Sequence, residues 1–227
     1  MFDFESRELA FWDHALSRSF GRVIEPRRRK PIGQLVRSML GCRTRDEVAL
    51  HAYHRLGRRW PKARDLARAS PAEVEREIRA VTFAEAKAEH LPAALGRIEA
   101  DFPGFRLDRL AAWPVEAARA ALERYPGVGQ KVAASTLNAS TLRRPIFIVD
   151  SHVHRVMIRF GTVSDNATAR AASELVTISG HALGADGMFQ LFRNMKRLGQ
   201  TICRFEAPDC STCPLASRCR TAGKRSI

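Results

Sequence analysis

Leu122-Glu123-Arg124-Tyr125-Pro126-Gly127-Val128-Gly129-Gln130-Lys131-Val132-Ala133 is the stretch that decides how this chain folds. A helical pattern stops before Pro126, two glycines frame one apolar residue, and a second helical pattern runs on through Ala133, Ala134 and Leu137. Proline cannot continue a helix, while glycine accepts positive φ and lets bare backbone approach a ligand. The N–H groups that open the second helix face outward, where the helix dipole favours an anion. A turn of this kind holds a phosphate without reading a base. The string predicts a helix-hairpin-helix motif, with Gly127, Val128 and Gly129 as DNA-binding residues. A tight turn between two helices with no ligand would use the same glycines. The full P-G-V-G-x-K string, taken with the charge of the chain, is what favours DNA.

That charge is a net +14 over 227 residues, a balance that points to a polyanionic partner and says nothing about fold. Nucleic acid comes first and an anionic membrane surface second. The sequence has no apolar run of the ~18 residues that a membrane span requires. Its N-terminus, Met1-Phe2-Asp3-Phe4-Glu5, is acidic and lacks the basic and apolar regions of a signal peptide. The expected setting is therefore the cytoplasm, in association with the nucleoid, with no membrane partner.

Outward from the hairpin, period-two alternation is nearly absent, and Ala, Leu, Arg and Glu dominate. Segments near 5–19, 32–42, 46–57, 71–80, 84–100, 115–124, 130–140, 151–160, 167–182 and 187–200 read as helices. Ser70-Pro71-Ala72-Glu73 sets an N-cap before a proline at the first helical position. Leu91, Leu95 and Ile98 form a core-facing stripe. Ile146-Phe147-Ile148-Val149 would make a strand with nothing to pair with, so it is read as a buried connector. The fold class is all-α. The basic knot Arg27-Arg28-Arg29-Lys30 fits a solvated linker as well as a DNA contact.

Four of the five cysteines crowd the last 25 residues: Cys203, Cys210, Cys213 and Cys219, spaced C-x6-C-x2-C-x5-C. In a reducing compartment such a group is a ligand set rather than a disulfide framework. Four thiolates in so short a loop can wrap a tetrahedral zinc or a [4Fe–4S] cluster. Zinc sites more often pair two C-x2-C knuckles, and only one is present here. Arg204, Arg218 and Arg220 decorate the loop and are expected near phosphates. Cys42 stands apart and reads as a small core residue. His152 and His154 read as structural.

Pro126-Gly127-Val128-Gly129-Gln130-Lys131, followed by Val149-Asp150-Ser151-His152 with its aspartate 19 residues after the lysine, resembles the active-site region of the endonuclease III family of helix-hairpin-helix DNA glycosylases. The cysteine spacing equals that of the family's [4Fe–4S] cluster. The resemblance covers about Pro31 to Cys219 and implies a base-excision enzyme with lyase activity, working as a monomer on duplex DNA that carries damaged bases or abasic sites. It implies Lys131 as nucleophile and Asp150 as catalytic carboxylate. It further implies a six-helix barrel over 24–143 and a cluster domain from 1–23 plus 144–227, with the active-site cleft between them. The bare residue chemistry is compatible with this. An attacking amine must be unprotonated, and a carboxylate stabilises a cationic sugar. Taken singly, Lys131 would pass for a phosphate-binding surface lysine and Asp150 for a helix N-cap.

Two places depart from the family pattern. Met39-Leu40-Gly41-Cys42-Arg43-Thr44-Arg45-Asp46 puts Arg43 where the family has a glutamine that probes the gap left by the flipped base. Thr82-Phe83-Ala84-Glu85-Ala86-Lys87-Ala88 puts Phe83 where the family has a wedge leucine. Both are expected to touch DNA, and both put the substrate range in question. A monofunctional adenine-type glycosylase would carry a catalytic glutamate in the helix matching 31–45, where this chain has no acid. A DNA-binding iron–sulfur protein without activity would have little reason to keep both Lys131 and Asp150.

Overall fold

The computed structural model describes residues 6–22 and 28–225. These fall into two compact units. One runs from Arg28 to Arg144, and the other joins the described residues before Arg28 to those from Pro145 onward. No strand is present among the described residues, only an isolated bridge between Arg29 and Ser140.

In chain order the helices are α1 (Ser6–Phe20), α2 (Pro31–Leu40), α3 (Asp46–Arg59), α4 (Ala63–Ala67), α5 (Pro71–Ile78), α6 (Ala84–Asp101), α7 (Val115–Glu123), α8 (Gln130–Asn138), α9 (Ser151–Phe160), α10 (Ala169–Ser179), α11 (Gly184–Thr201) and α12 (Arg220–Arg225). Every segment read as a helix from the sequence is one. The short α4 and α12 and several 3₁₀ turns were not anticipated. They span too few turns to show a periodicity.

The Arg28–Arg144 unit holds α2 to α8. The Leu91, Leu95 and Ile98 stripe of α6 is fully buried, as its spacing requires, against a core that includes Leu35, Leu40, Leu56, Ile78, Leu122 and Leu137. Ser70 and Glu73 close a reciprocal capping box at the start of α5. Of the basic knot, Arg27 lies outside the described residues, Lys30 is exposed, and Arg28 and Arg29 are half-buried. Arg28 donates to the Asn138 carbonyl at 2.7 Å, and Arg29 lies over the Tyr53 ring while its carbonyl accepts from Thr141 N–H. Tertiary partners for these arginines, more than 20 residues away in sequence, decide the matter in favour of structure.

The other unit packs α1 against α10 and α11, with Leu9, Trp12 and Leu16 buried and the Trp12 ring edge-on to Phe160. Ile146 to Val149 is buried and connects to α9 without forming a strand. Side chains of α10 serve its backbone: Thr177 Oγ1 accepts from Phe147 N–H, and Ser173 Oγ donates to the Phe147 carbonyl. Those bonds replace a neighbouring strand, since buried backbone groups need partners of some kind.

Candidate functional site

The hairpin is pinned before it turns. Tyr125 is buried and donates its hydroxyl to Asp101 Oδ2 at 2.9 Å; burial, then that carboxylate, pushes the phenol up to about 12. Gly127 follows at φ 71°, and a Cβ there would lie 2.9 Å from both His90 Cβ and Met39 Cε. Val128 is turned into the core, and its N–H is spent on the Tyr125 carbonyl. The Val128 side chain packs the turn rather than facing solvent. Gly129 also differs from expectation. Its φ of −94° needs no glycine, but a Cβ there would meet nothing. It is the N-cap of α8, and no side chain caps that helix. Open space over an uncapped helix start suits an anion. Gly127→Ala is expected to lower stability by about 2–4 kcal/mol through strain and overlap. Gly129→Ala should leave the melting temperature nearly unchanged and weaken duplex affinity about tenfold, as one blocked hydrogen bond to phosphate would. Thermal melts and binding titrations of both variants check this.

Lys131 lies in the first turn of α8 and donates from Nζ to the Ser38 carbonyl of α2 at 3.3 Å. A buried triangle fixes the register of these two helices: Gln34 Nε2 donates to Ser38 Oγ and Ser135 Oγ, and Ser38 Oγ donates to Ser135 Oγ at 2.9 Å. A buried polar network that is satisfied specifies one packing and disfavours slippage.

The loop after α2 and the start of α6 come together. Arg43 and Phe83 both adopt the left-handed conformation, at φ 53° and 58°, which costs a bulky residue about 1–2 kcal/mol. The Arg43 guanidinium lies 5.8 Å from the Phe83 ring centroid, and Phe83 is 58% exposed. Thr44 Oγ1 ties the segments by accepting from Thr82 N–H at 3.2 Å. Beneath them Lys87 is buried, with its Nζ donating to the carbonyls of Leu40 and Cys42 and to Thr44 Oγ1. Cys42 is only half-buried and donates to the Ser38 carbonyl, so it is a loop residue rather than a core one.

Asp150 belongs to the other unit. It is the N-cap of α9, with Oδ1 accepting from His152 N–H at 2.9 Å and Val153 N–H at 3.0 Å. Its Oδ2 lies 4.0 Å from Lys196 Nζ of α11, and the carboxylate is 11% exposed. One oxygen therefore caps, and the other remains for electrostatics. His154 bonds the Ala167 carbonyl and His152 contacts Arg155, as structural residues do. Sequence reasoning missed Lys87 and Lys196. Nothing in a lone lysine on an amphipathic helix signals burial.

Cys203, Cys210, Cys213 and Cys219 line one recess with Ile202, Pro208 and Ala222. Burial pushes the Cys213 thiol up to about 11, and the three neighbouring cysteines add to this. Four thiolates there need a cationic centre. Four thiolates lining one recess would suit a tetrahedral zinc or a [4Fe–4S] cluster. Arg155 and Arg159 of α9 hold the loop, donating to the carbonyls of Cys203, Arg204 and Phe205, and Arg159 lies 3.6 Å from Cys203 Sγ. Arg218 pairs with Glu8 and Arg220 with Asp165, so these two anchor the loop rather than lie open to phosphate.

The helical fold around this hairpin is shared with known proteins. The model of the HhH-GPD superfamily of base excision DNA repair proteins matches residues 36–178, and the chain belongs to that superfamily, as a DNA glycosylase of the endonuclease III family. It is 28% identical to endonuclease III of Thermotoga maritima over 201 residues, covering 87% of each protein. Thymine-DNA glycosylase of Aeropyrum pernix is 26% identical over 192 residues, covering 83% of this chain and 82% of that one. A trapped endonuclease III–DNA covalent intermediate superposes with a TM-score of 0.82 at 21% identity, covering 99% of this chain and 100% of that one, a likeness of fold. No helix among the described residues is long and apolar enough to cross a membrane.

Proposed function

We propose that this protein excises damaged bases, oxidised pyrimidines among them, from duplex DNA and then cuts the strand as a lyase, with Lys131 as nucleophile and Asp150 as catalytic carboxylate. The observation that carries this reading is the placement of Lys131 one residue inside an uncapped helix start, beside a hairpin built to hold a phosphate. The unprotonated Lys131 amine attacks the anomeric carbon, and the glycosidic bond breaks as the base leaves with a proton. The C1′–O4′ bond of this adduct then opens, O4′ taking a proton, to leave a Schiff base between Lys131 and C1′, and loss of a C2′ proton expels the 3′ phosphate. The Asp150 carboxylate, sheltered from solvent, stabilises the cationic sugar. The four cysteines hold a [4Fe–4S] cluster, which organises the loop from Ile202 to Cys219. The protein acts as a monomer, in the cytoplasm at the nucleoid.

Arg43 and Phe83 set the substrate range. A flipped base leaves a gap, and filling it offsets part of an unstacking cost of a few kcal/mol. Phe83 stacks without regard to sequence, whereas Arg43 offers only donors and suits the acceptor edge of guanine. Stacking on Phe83 pre-orders the guanidinium.

Duplexes carrying thymine glycol, uracil, mispaired thymine or an abasic site, each opposite all four bases, test the reading, with borohydride trapping of the covalent intermediate. Thymine is included because a relative carries it in its name. Excision is expected to be fastest opposite guanine, and Arg43→Gln should reduce that preference about tenfold. Equal rates opposite all four bases, unchanged in the variant, would remove Arg43 from base readout. No trapping with any duplex would overturn the lyase assignment.

A further inference from the structure

Lys87 is a buried ammonium that the chemistry above does not use. It comes from α6 and takes the last two carbonyls at the carboxyl end of α2 and its loop, Leu40 at 3.0 Å and Cys42 at 2.6 Å. Lys131 comes from α8 to the same helix end, on the Ser38 carbonyl. Gly41 lies at the same end: a Cβ built there would lie 3.0 Å from Arg37 Nη1 and 3.7 Å from Lys131 Nζ. The carboxyl end of a helix carries a partial negative charge, and a cation beside it is favoured. Left alone, that end would hold Lys131 as an ammonium, which cannot attack.

We propose that Lys87 is a positioning residue that satisfies and neutralises the carboxyl end of α2, so that the Lys131 amine is available as a free base. The inference rests on the assignment of Lys131 as nucleophile. Of the other charged groups at this end, Arg37 of α2 reaches Gly41 with Nη1, while its Nη2 donates to the Asp46 carbonyl at 3.1 Å and lies 3.9 Å from the Asp46 carboxylate, which offsets its charge. Cys42 donates its thiol to Ser38. Arg119 of α7, the other helix packed on α8, is paired with Glu116. Burial brings Lys87 down to about 8, Cys42 opposes this, and Lys131 lowers it further, so the two amines sense each other and Lys87 is still charged at neutral pH.

The test is the pH profile, from pH 5 to 9, of single-turnover borohydride trapping on an abasic duplex. Lys131→Ala first establishes that the trap depends on Lys131. In Lys87→Met the acidic limb should move up by about one pH unit, a tenfold loss on that limb, with the alkaline plateau retained. Lys87→Gln keeps N–H donors for the two carbonyls without the charge, and guards against a failure of Lys87→Met to fold. It should shift the limb likewise, whereas Lys87→Arg should restore it. A limb unmoved in both neutral variants, with only a lower plateau, would make Lys87 a structural clamp and overturn the inference while leaving the nucleophile in place. Trapping that persists in Lys131→Ala would overturn both.

Discussion

Lys131→Ala is expected to abolish covalent trapping by borohydride while duplex affinity stays within about threefold of wild type, because trapping needs one amine and binding draws on backbone N–H groups and many cations. The fold should tolerate the change, since the buried Gln34, Ser38 and Ser135 triangle still sets the register of α8 when the bond to the Ser38 carbonyl is lost. The companion is Asp150→Asn. Asparagine caps a helix as well as aspartate does, so α9 keeps its two N-terminal bonds and the melting temperature holds. What disappears is the charge 4.0 Å from Lys196 Nζ, the one proposed to stabilise the developing sugar cation. Excision should fall by about 10²–10⁴-fold. An unchanged rate would reduce Asp150 to a cap. A large fall in melting temperature with the rate per folded molecule intact would say the same.

The second large effect is expected at the cysteine recess. The purified protein should be brown and carry about four irons and four sulfides. Cys213→Ser, or stripping the iron, should strand a buried polar group among three thiols and release the segment from Ile202 to Cys219. Besides Pro208, Leu215, the Arg218–Glu8 pair, local turn bonds and the carbonyls held by Arg155 and Arg159, that segment depends on its four thiolates. Loss of solubility should precede loss of intrinsic activity, with protease sensitivity appearing first in this loop. Stoichiometric zinc with no visible charge-transfer absorption would refute the cluster.

These expectations divide by what a single sequence can carry. The α5 box, the α6 stripe and the ends of α9 were legible because their causes are local: a cap, a proline, a period of 3.6 residues. The cysteine spacing was legible for the same reason. Four ligands in one loop need no long-range contact to be recognised. The hairpin was half legible. Gly127 does take positive φ, whereas Val128 turns inward and Gly129 has ordinary dihedrals. Which glycine of a pair carries the turn depends on what packs around it, here His90 and Met39.

What the chain determined by itself, then, was the all-helical class, the helix positions, the hairpin and the ligand loop, since each follows from residues within a few turns of one another. Only the tertiary structure decided what the charges do. It stacked Arg43 on Phe83 in two strained turns, directed Arg28, Arg29, Arg218 and Arg220 to internal partners, and buried Lys87 at the end of α2. A cation's role is set by the carbonyl, ring or carboxylate it meets, and those partners lie up to 210 positions away, as between Arg218 and Glu8. No periodicity records a contact at that range. Burial and charge neutralisation are properties of the packed unit, settled when the helices close on one another.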